Sequence, residues 1–278
     1  MPARDFWAVT FDAPPPARLL LCLHGFPDAP GTFAPLAPAL PGYRIVAPFL
    51  RGYAPSPTKG PFDLDQISAD VLRMVDALSL DEPILAVGHD LGALAILAAA
   101  RRSPDRFRAL VTLAVPHPLV ALRAILRGGE QLRKSAYILG FQLPRIFEPR
   151  LRRGDLTRRL WRRWSPSLDA DRTHLRHVDV SLRENPEAVL GWYRAFSSPP
   201  AAAVRRIQSW HATRIAVPTL HLHGAEDGCI LPQSARGQGR YFCRHQSRIL
   251  PGVGHFLQWE KPEQVAAEID RFFTALDP

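Results

Sequence analysis

Pro83-Ile84-Leu85-Ala86-Val87-Gly88-His89-Asp90-Leu91-Gly92-Ala93-Leu94-Ala95-Ile96-Leu97-Ala98-Ala99-Ala100 is the stretch from which the rest of the chain is read. Its first five residues are a short apolar run of buried-strand type, and its last eight are strong helix formers. Gly88 and Gly92, four apart, allow a sharp strand-to-helix bend that holds one side chain out at the carboxyl edge of a sheet. That side chain is Asp90. Aspartate is also a common helix cap, so Asp90 has two readings here: a cap for the helix starting near Leu91, or a nucleophile.

The two readings differ in chemistry. A serine at such a bend must lose a proton as it attacks and needs a histidine beside it. A carboxyl group with an ordinary pKa of about 3.9 is ionised by roughly three powers of ten at neutral pH and needs no base. Burial opposes that ionisation, and the amides at the start of the following helix favour it.

Outward from this bend, the periodicity predicts strands over 6–11, 18–23, 43–47, 84–87 and 109–114, with helices over about 63–79 and 91–101. Alternating strands and helices imply a mostly parallel sheet covered on both faces. From His117 to His211 the chain turns to helices rich in Arg, Leu and Trp, with no strand pattern. Alternation resumes at 218–223 and 247–250, and a helix over 262–276 closes the chain. The expected fold class is α/β: a core of residues 1–116 and 212–278, with a helical cap inserted at 117–211.

At 278 residues the chain can bury a large core. Its start, Met1 to Phe6, has no apolar leader, and no apolar run is long enough to span a bilayer. Cys22, Cys229 and Cys243 form no metal-type pair, which points to reduced thiols and a cytoplasmic setting. The formal charge of +9 is mostly arginine, dense between Arg145 and Arg163. Leu156, Leu160 and Trp164 recur every four residues there, with the arginines largely opposite. The reading is an amphipathic helix with a solvated basic face, in preference to a nucleic-acid or anionic-membrane patch.

Further motifs converge on Asp90. His24-Gly25-Phe26-Pro27-Asp28 follows the second strand, and its turn can aim the Phe26 amide beside that of Leu91 to form an oxyanion hole. One such donor is worth about 3–4 kcal/mol of transition-state stabilisation. His24 reads as a ligand of the loop backbone, and His89 as packed beneath the bend. Near the end come His223-Gly224-Ala225-Glu226-Asp227 and Gly252-Val253-Gly254-His255-Phe256. Asp227, three residues past Gly224, can orient an imidazole, and Glu226 reads as facing solvent. Gly252-Val253-Gly254 lacks the third glycine of a dinucleotide loop. The order Asp90, Asp227, His255 is that of nucleophile, acid and base.

With these motifs together, almost the whole chain resembles the epoxide hydrolase branch of the α/β-hydrolases. The resemblance rests on His24-Gly25-Phe26-Pro27, Leu50-Arg51-Gly52-Tyr53, Gly88-His89-Asp90, Val115-Pro116-His117-Pro118, Gly191-Trp192-Tyr193-Arg194 and Gly254-His255-Phe256. It implies that Tyr137, four residues before Phe141-Gln142, and Tyr193 form the proton-donor pair that opens an epoxide ring. An alkoxide is a poor leaving group unless hydrogen-bonded, and a phenol with pKa about 10 suits that task.

The implied activity is hydrolysis of an epoxide to a vicinal diol through an aspartyl ester. The expected partners are an apolar small-molecule epoxide and water, with no cofactor, metal or nucleic acid. Leu91 stands where many relatives carry tryptophan and fluoroacetate-type dehalogenases carry arginine. It therefore suggests an apolar pocket wall and weighs against dehalogenation, the alternative within the class. A non-catalytic protein binding a ligand or an acidic partner on the same scaffold is the alternative outside it. Trp161, Trp164 and Phe147 point to an apolar or aromatic substrate.

Overall fold

Two runs of alternating side chains in one strand show how the core is divided. Leu20 and Cys22 face one side of the central sheet while Leu21 and Leu23 face the other, and all four are fully buried. The computed structural model of the chain describes residues 6–79, 81–168, 172–197 and 200–276. The first five residues, read above for the absence of an apolar leader, lie outside them.

Among the described residues, seven strands form one sheet. They are β1 (Ala8–Phe11), β2 (Arg18–Leu23), β3 (Tyr43–Pro48), β4 (Ile84–His89), β5 (Phe107–Leu113), β6 (Thr219–Gly224) and β7 (His245–Leu250). The sheet order is β1-β3-β2-β4-β5-β6-β7, and every pairing is parallel except β1 with β3. Helices α1 (Leu64–Leu78) and α2 (Leu91–Arg102) cover the face that receives Leu21 and Leu23. The closing helices, α10 (Leu257–Glu260) and α11 (Pro262–Thr274), include Val265, Ile269 and Phe273, which cover the other face.

Between β5 and β6 run α3 (Pro118–Leu126), α4 (Gly129–Gly140), α5 (Pro144–Arg153), α6 (Asp155–Trp164), α7 (Arg172–Glu184), α8 (Pro186–Ser197) and α9 (Pro200–Ala212). This is the inserted helical lid.

The expected elements are present, with shifted ends. The first strand begins at Ala8 and not at residue 6. The fifth spans Phe107–Leu113 and stops before Ala114, whose φ of +66° takes it out of extended backbone. The basic segment is two helices and not one. Gly154, at φ +77°, adopts the left-handed conformation that ends α5, and α6 starts directly after it. On α6, Leu160 and Trp164 are buried and Leu156 is half-buried, while Arg158, Arg162 and Arg163 are exposed. Trp161 is buried as well, so the apolar stripe is wider than a four-residue repeat.

The loops at the carboxyl edge of the sheet are fixed from both sides. Arg51, after β3, pairs with Asp70 of α1 at 2.5 Å and is nearly buried. The Arg51 carbonyl accepts the indole N–H of Trp192 in α8 at 2.8 Å, which ties this loop to the lid.

At Gly92 an added methyl group would run into the Leu23 and His24 carbonyls, because α2 starts directly against the end of β2. Gly92→Ala is therefore expected to destabilise the fold by about 2–3 kcal/mol, the usual scale of overpacking against backbone. Denaturant titration checks this, and an unchanged midpoint would contradict the packing described.

Candidate active site

Strands β2, β4, β6 and β7, on either side of β5, each end in a loop that contributes to one polar cluster. Asp90, between β4 and α2, has φ +51° and ψ −116°. A non-glycine residue in that region carries roughly 1–3 kcal/mol of strain. Its backbone N–H donates to the Leu113 carbonyl at 3.2 Å, fastening the bend to the end of β5. Its side chain makes no capping hydrogen bond to α2, so the helix-cap reading does not describe it. The carboxylate points instead toward the loop after β2. There Gly25 is required, since a methyl group on it would collide with the Asp90 side chain.

Each Asp90 oxygen has its own neighbour. The Phe26 N–H donates to Oδ1 at 2.9 Å, while Oδ2 lies 3.6 Å from His255 Nε2. Leu91 opens α2 next to Asp90, but among the described residues its amide makes no bond to the carboxylate. On its other side, His255 Nδ1 meets Asp227 Oδ2 at 2.8 Å. Asp227 Oδ1 accepts the backbone N–H groups of Cys229 at 2.7 Å and Ile230 at 2.8 Å, so the acid is fixed by its own loop. Glu226, one residue earlier, is exposed.

Burial and charge compete at each group. Burial pushes Asp227 upward, but His255 and His223 outweigh it and hold the carboxyl well below the usual range. Burial raises Asp90 too, and His255, His89 and the Phe26 amide together leave it lowered. For His255, burial favours the neutral ring, yet Asp227 and Asp90 on either side push it up to about 10. His255 thus stands between two carboxylates that both favour its charged form, hydrogen-bonded to Asp227 and 3.6 Å from Asp90.

Tyr137 on α4 and Tyr193 on α8 lie across a cavity from Asp90, and their rings are 5.9 Å apart. Burial holds both phenols well above 10, so they remain protonated donors. The Tyr193 hydroxyl is buried with no hydrogen-bond partner among the described residues, and Tyr137 Oη rests 3.5 Å from Cys229 Sγ. Phe26 and Phe141 pack against the Tyr193 ring at 5.3 and 5.0 Å. Gln142 donates to the Tyr193 carbonyl at 3.1 Å and thereby joins α4 to α8. The cavity measures about 580 Å³ and is walled mainly by Leu91, Leu94, Leu119, Leu122, Ile125 and Ile138.

The lid tryptophans have another role than lining the cavity. Trp161 stacks on Phe256 at 3.7 Å and donates to the Pro27 carbonyl at 2.7 Å. Trp164 packs on His255 at 5.2 Å, and its carbonyl accepts the His255 and Gly228 N–H groups. Phe147 packs on Phe141, 5.3 Å away. These three aromatics fix the loops and helices around the cavity, whose aliphatic walls are joined by Phe196 and Trp210.

His24 bridges two loops, bonding the Gly25 carbonyl through Nδ1 at 3.0 Å and accepting the Leu50 N–H on Nε2 at 3.2 Å. His89 holds the His255 carbonyl at 3.0 Å. His117 caps α3 and stacks on Tyr241 at 4.4 Å. Sequence reading passed over Ser165 and Glu260. Ser165 Oγ accepts the His255 and Phe256 N–H groups and donates to Glu260, whose carboxylate also takes the Gly254 N–H. A lone serine after α6 carries no local signal of that task.

The fold and this cluster define a class. A model of the alpha/beta hydrolase fold family matches residues 18–262, and the chain belongs to that family. It is similar to AB hydrolase superfamily protein YfhM of Bacillus subtilis, 28% identical over 88% of this chain and 86% of that one. It is also similar to epoxide hydrolase A of Mycobacterium tuberculosis, 26% identical over 95% of this chain and 92% of that protein. Among solved structures, the Bacillus megaterium epoxide hydrolase in complex with an inhibitor superposes with a TM-score of 0.82 at 22% identity. That match covers 97% of this chain and 96% of the other.

The charge cluster gives stability a pH signature. His255 is raised above its ordinary 6.5, so its contribution is complete below about 6.5 and is lost as pH climbs toward about 10. Buried neutral His24 and His117, lowered to about 4 and about 3, contribute fully above 6.5 and lose it as pH falls. Urea midpoints should therefore peak near pH 6.5, and His255→Gln should flatten the decline between about pH 6.5 and 8.5. A wild-type midpoint that rises over that interval would contradict the assignment.

Proposed function

We propose that this hydrolase converts an apolar epoxide to a vicinal diol through an ester on Asp90. The observation that carries the reading is that Asp90 and the two tyrosines, Tyr137 and Tyr193, line one apolar cavity. An ester hydrolase needs no acid pair on the far wall. An epoxide does, because ring opening puts a full charge on its oxygen. The named epoxide hydrolases among the relatives support the same substrate class.

In this mechanism Asp90 Oδ2 attacks an epoxide carbon while the C–O bond opposite it breaks, and Tyr137 and Tyr193 hydrogen-bond the departing oxygen. A tyrosine proton passes to the alkoxide. Ester formation removes the Asp90 charge, one of the two anions that hold His255 protonated, so the imidazolium yields the proton that restores the tyrosine. His255, now neutral and oriented by Asp227, takes a proton from water, and the hydroxide adds to the Asp90 carbonyl carbon. Oxyanion charge develops on Oδ1, where the Phe26 N–H already points; the Leu91 amide is the second donor of this proposal. Collapse expels the diol, the new carboxyl proton goes to its oxygen, and the resting charges return. Every step uses side chains of this chain and water.

Dehalogenases share an aspartate nucleophile, but two phenols held neutral match an oxygen leaving group better than halide. Halide release measured beside diol formation separates the two.

Asp90→Ala should abolish diol formation. His255→Gln should let the ester form and persist, visible as a mass increment on the intact protein. Tyr137→Phe and Tyr193→Phe should each slow ring opening about 10- to 100-fold, the value of one hydrogen bond to a charged oxygen. Full turnover by Asp90→Ala, or no adduct on His255→Gln with an epoxide that wild type consumes, would overturn the mechanism.

A further inference from the structure

The lid carries an exposed apolar surface that is continuous with the cavity. Leu126 and Leu139 are 76% and 68% exposed, Leu132 and Ile207 are exposed too, and all four line the outer part of the space that reaches Asp90. Leu143 and Ile146, at the start of α5, and Val204, on α9 one helical turn before Ile207, are exposed apolar side chains that do not line the cavity. Soluble proteins rarely gather large exposed apolar side chains in one place unless something covers them.

The charges around this rim are mostly positive. Residues 118–147 hold five cations, Arg123, Arg127, Arg133, Lys134 and Arg145, against one acid, Glu130. Arg127, Arg133, Arg145 and, on α9, Arg205 are exposed, and the whole chain carries +9. An apolar patch ringed by arginine matches an anionic lipid surface, where apolar side chains enter the acyl boundary and cations meet headgroups. A second copy of the chain fits less well, since a two-fold dimer on this face would bring its cationic rims together.

We propose that the lid face formed by α3, α4, the start of α5 and α9 docks on anionic lipid, so that apolar substrate passes from bilayer to cavity without crossing water. Delivery rests on the epoxide reading above; docking does not. This face is distinct from the basic side of α6, whose arginines lie opposite a stripe packed on the catalytic loops.

The test uses the full chain and vesicle flotation. Vesicles of phosphatidylcholine alone are compared with vesicles also containing phosphatidylglycerol, at low ionic strength and in about 1 M salt, where the Debye length is about 3 Å. Two variants accompany wild type: Leu143→Ser/Ile146→Ser/Val204→Ser and Arg127→Glu/Arg133→Glu/Arg145→Glu. Both alter exposed positions, and circular dichroism with a thermal midpoint verifies that each is folded.

The expected result is flotation of wild type with anionic vesicles only, lost in high salt. Charge reversal should weaken it at least about tenfold, and the serine variant should also weaken it. Three results would overturn docking: no flotation, equal flotation with neutral vesicles, or folded variants that bind as wild type does. Self-association of wild type that the serine variant abolishes would assign the face to a second copy and also overturn it. Because flotation needs no turnover, its failure leaves the epoxide reading untouched. A chain that floats but hydrolyses no epoxide would refute that reading alone.

Discussion

His255 stands between two carboxylates, 2.8 Å from Asp227 and 3.6 Å from Asp90, and all three side chains are buried. Two buried anions with no cation would repel each other and lack solvation, and a buried imidazolium alone would lose its proton. Together they are compatible with burial. Around this arrangement the chain makes unusual concessions: a left-handed backbone at Asp90, a glycine at residue 25 where no side chain fits, and a helix start pressed onto the end of β2. The same balance drives the proposed chemistry, because converting Asp90 to an ester removes one anion and makes the imidazole a base.

The lid completes this centre from above. Trp164 offers its carbonyl to the His255 loop, Ser165 takes two further amides of that loop, and Trp161 clamps the Pro27 turn that presents the Phe26 N–H. Tyr137 and Tyr193 sit on α4 and α8, which Gln142 and the aromatic cluster around Phe141 hold together. Movement of the lid would thus disturb His255, the Phe26 N–H and the two tyrosines at once. Its outer rim, apolar and ringed by arginine, is the part free of these duties.

Much of this was legible in the residues, for local reasons. Alternating apolar runs and helix formers mark β2, β4 and α2, because strand and helix periods are properties of a few neighbouring residues. Gly88 and Gly92 mark the bend for the same reason. The order Asp90, Asp227, His255 is readable because a parallel sheet brings the ends of separate strands to one edge. The break at Gly154 was visible as a glycine but overridden by the apolar repeat on either side of it. Ala114 leaving its strand, and Trp161 and Trp164 gripping loops and not lining the cavity, depend on contacts between distant segments. Ser165, Glu260 and Cys229 depend on them too, and nothing in their sequence neighbourhood encodes those contacts.

The central claim is that Asp90 bonds to carbon and is released by water attacking its carbonyl. One turnover with enzyme in excess over an epoxide, in water enriched in heavy oxygen, tests it most directly. The label should appear in the Asp90 carboxylate, located by peptide mass spectrometry, while the first diol formed stays unlabelled. Heavy oxygen in that first diol with none in Asp90 would mean that water attacks the substrate directly, and the account would be wrong.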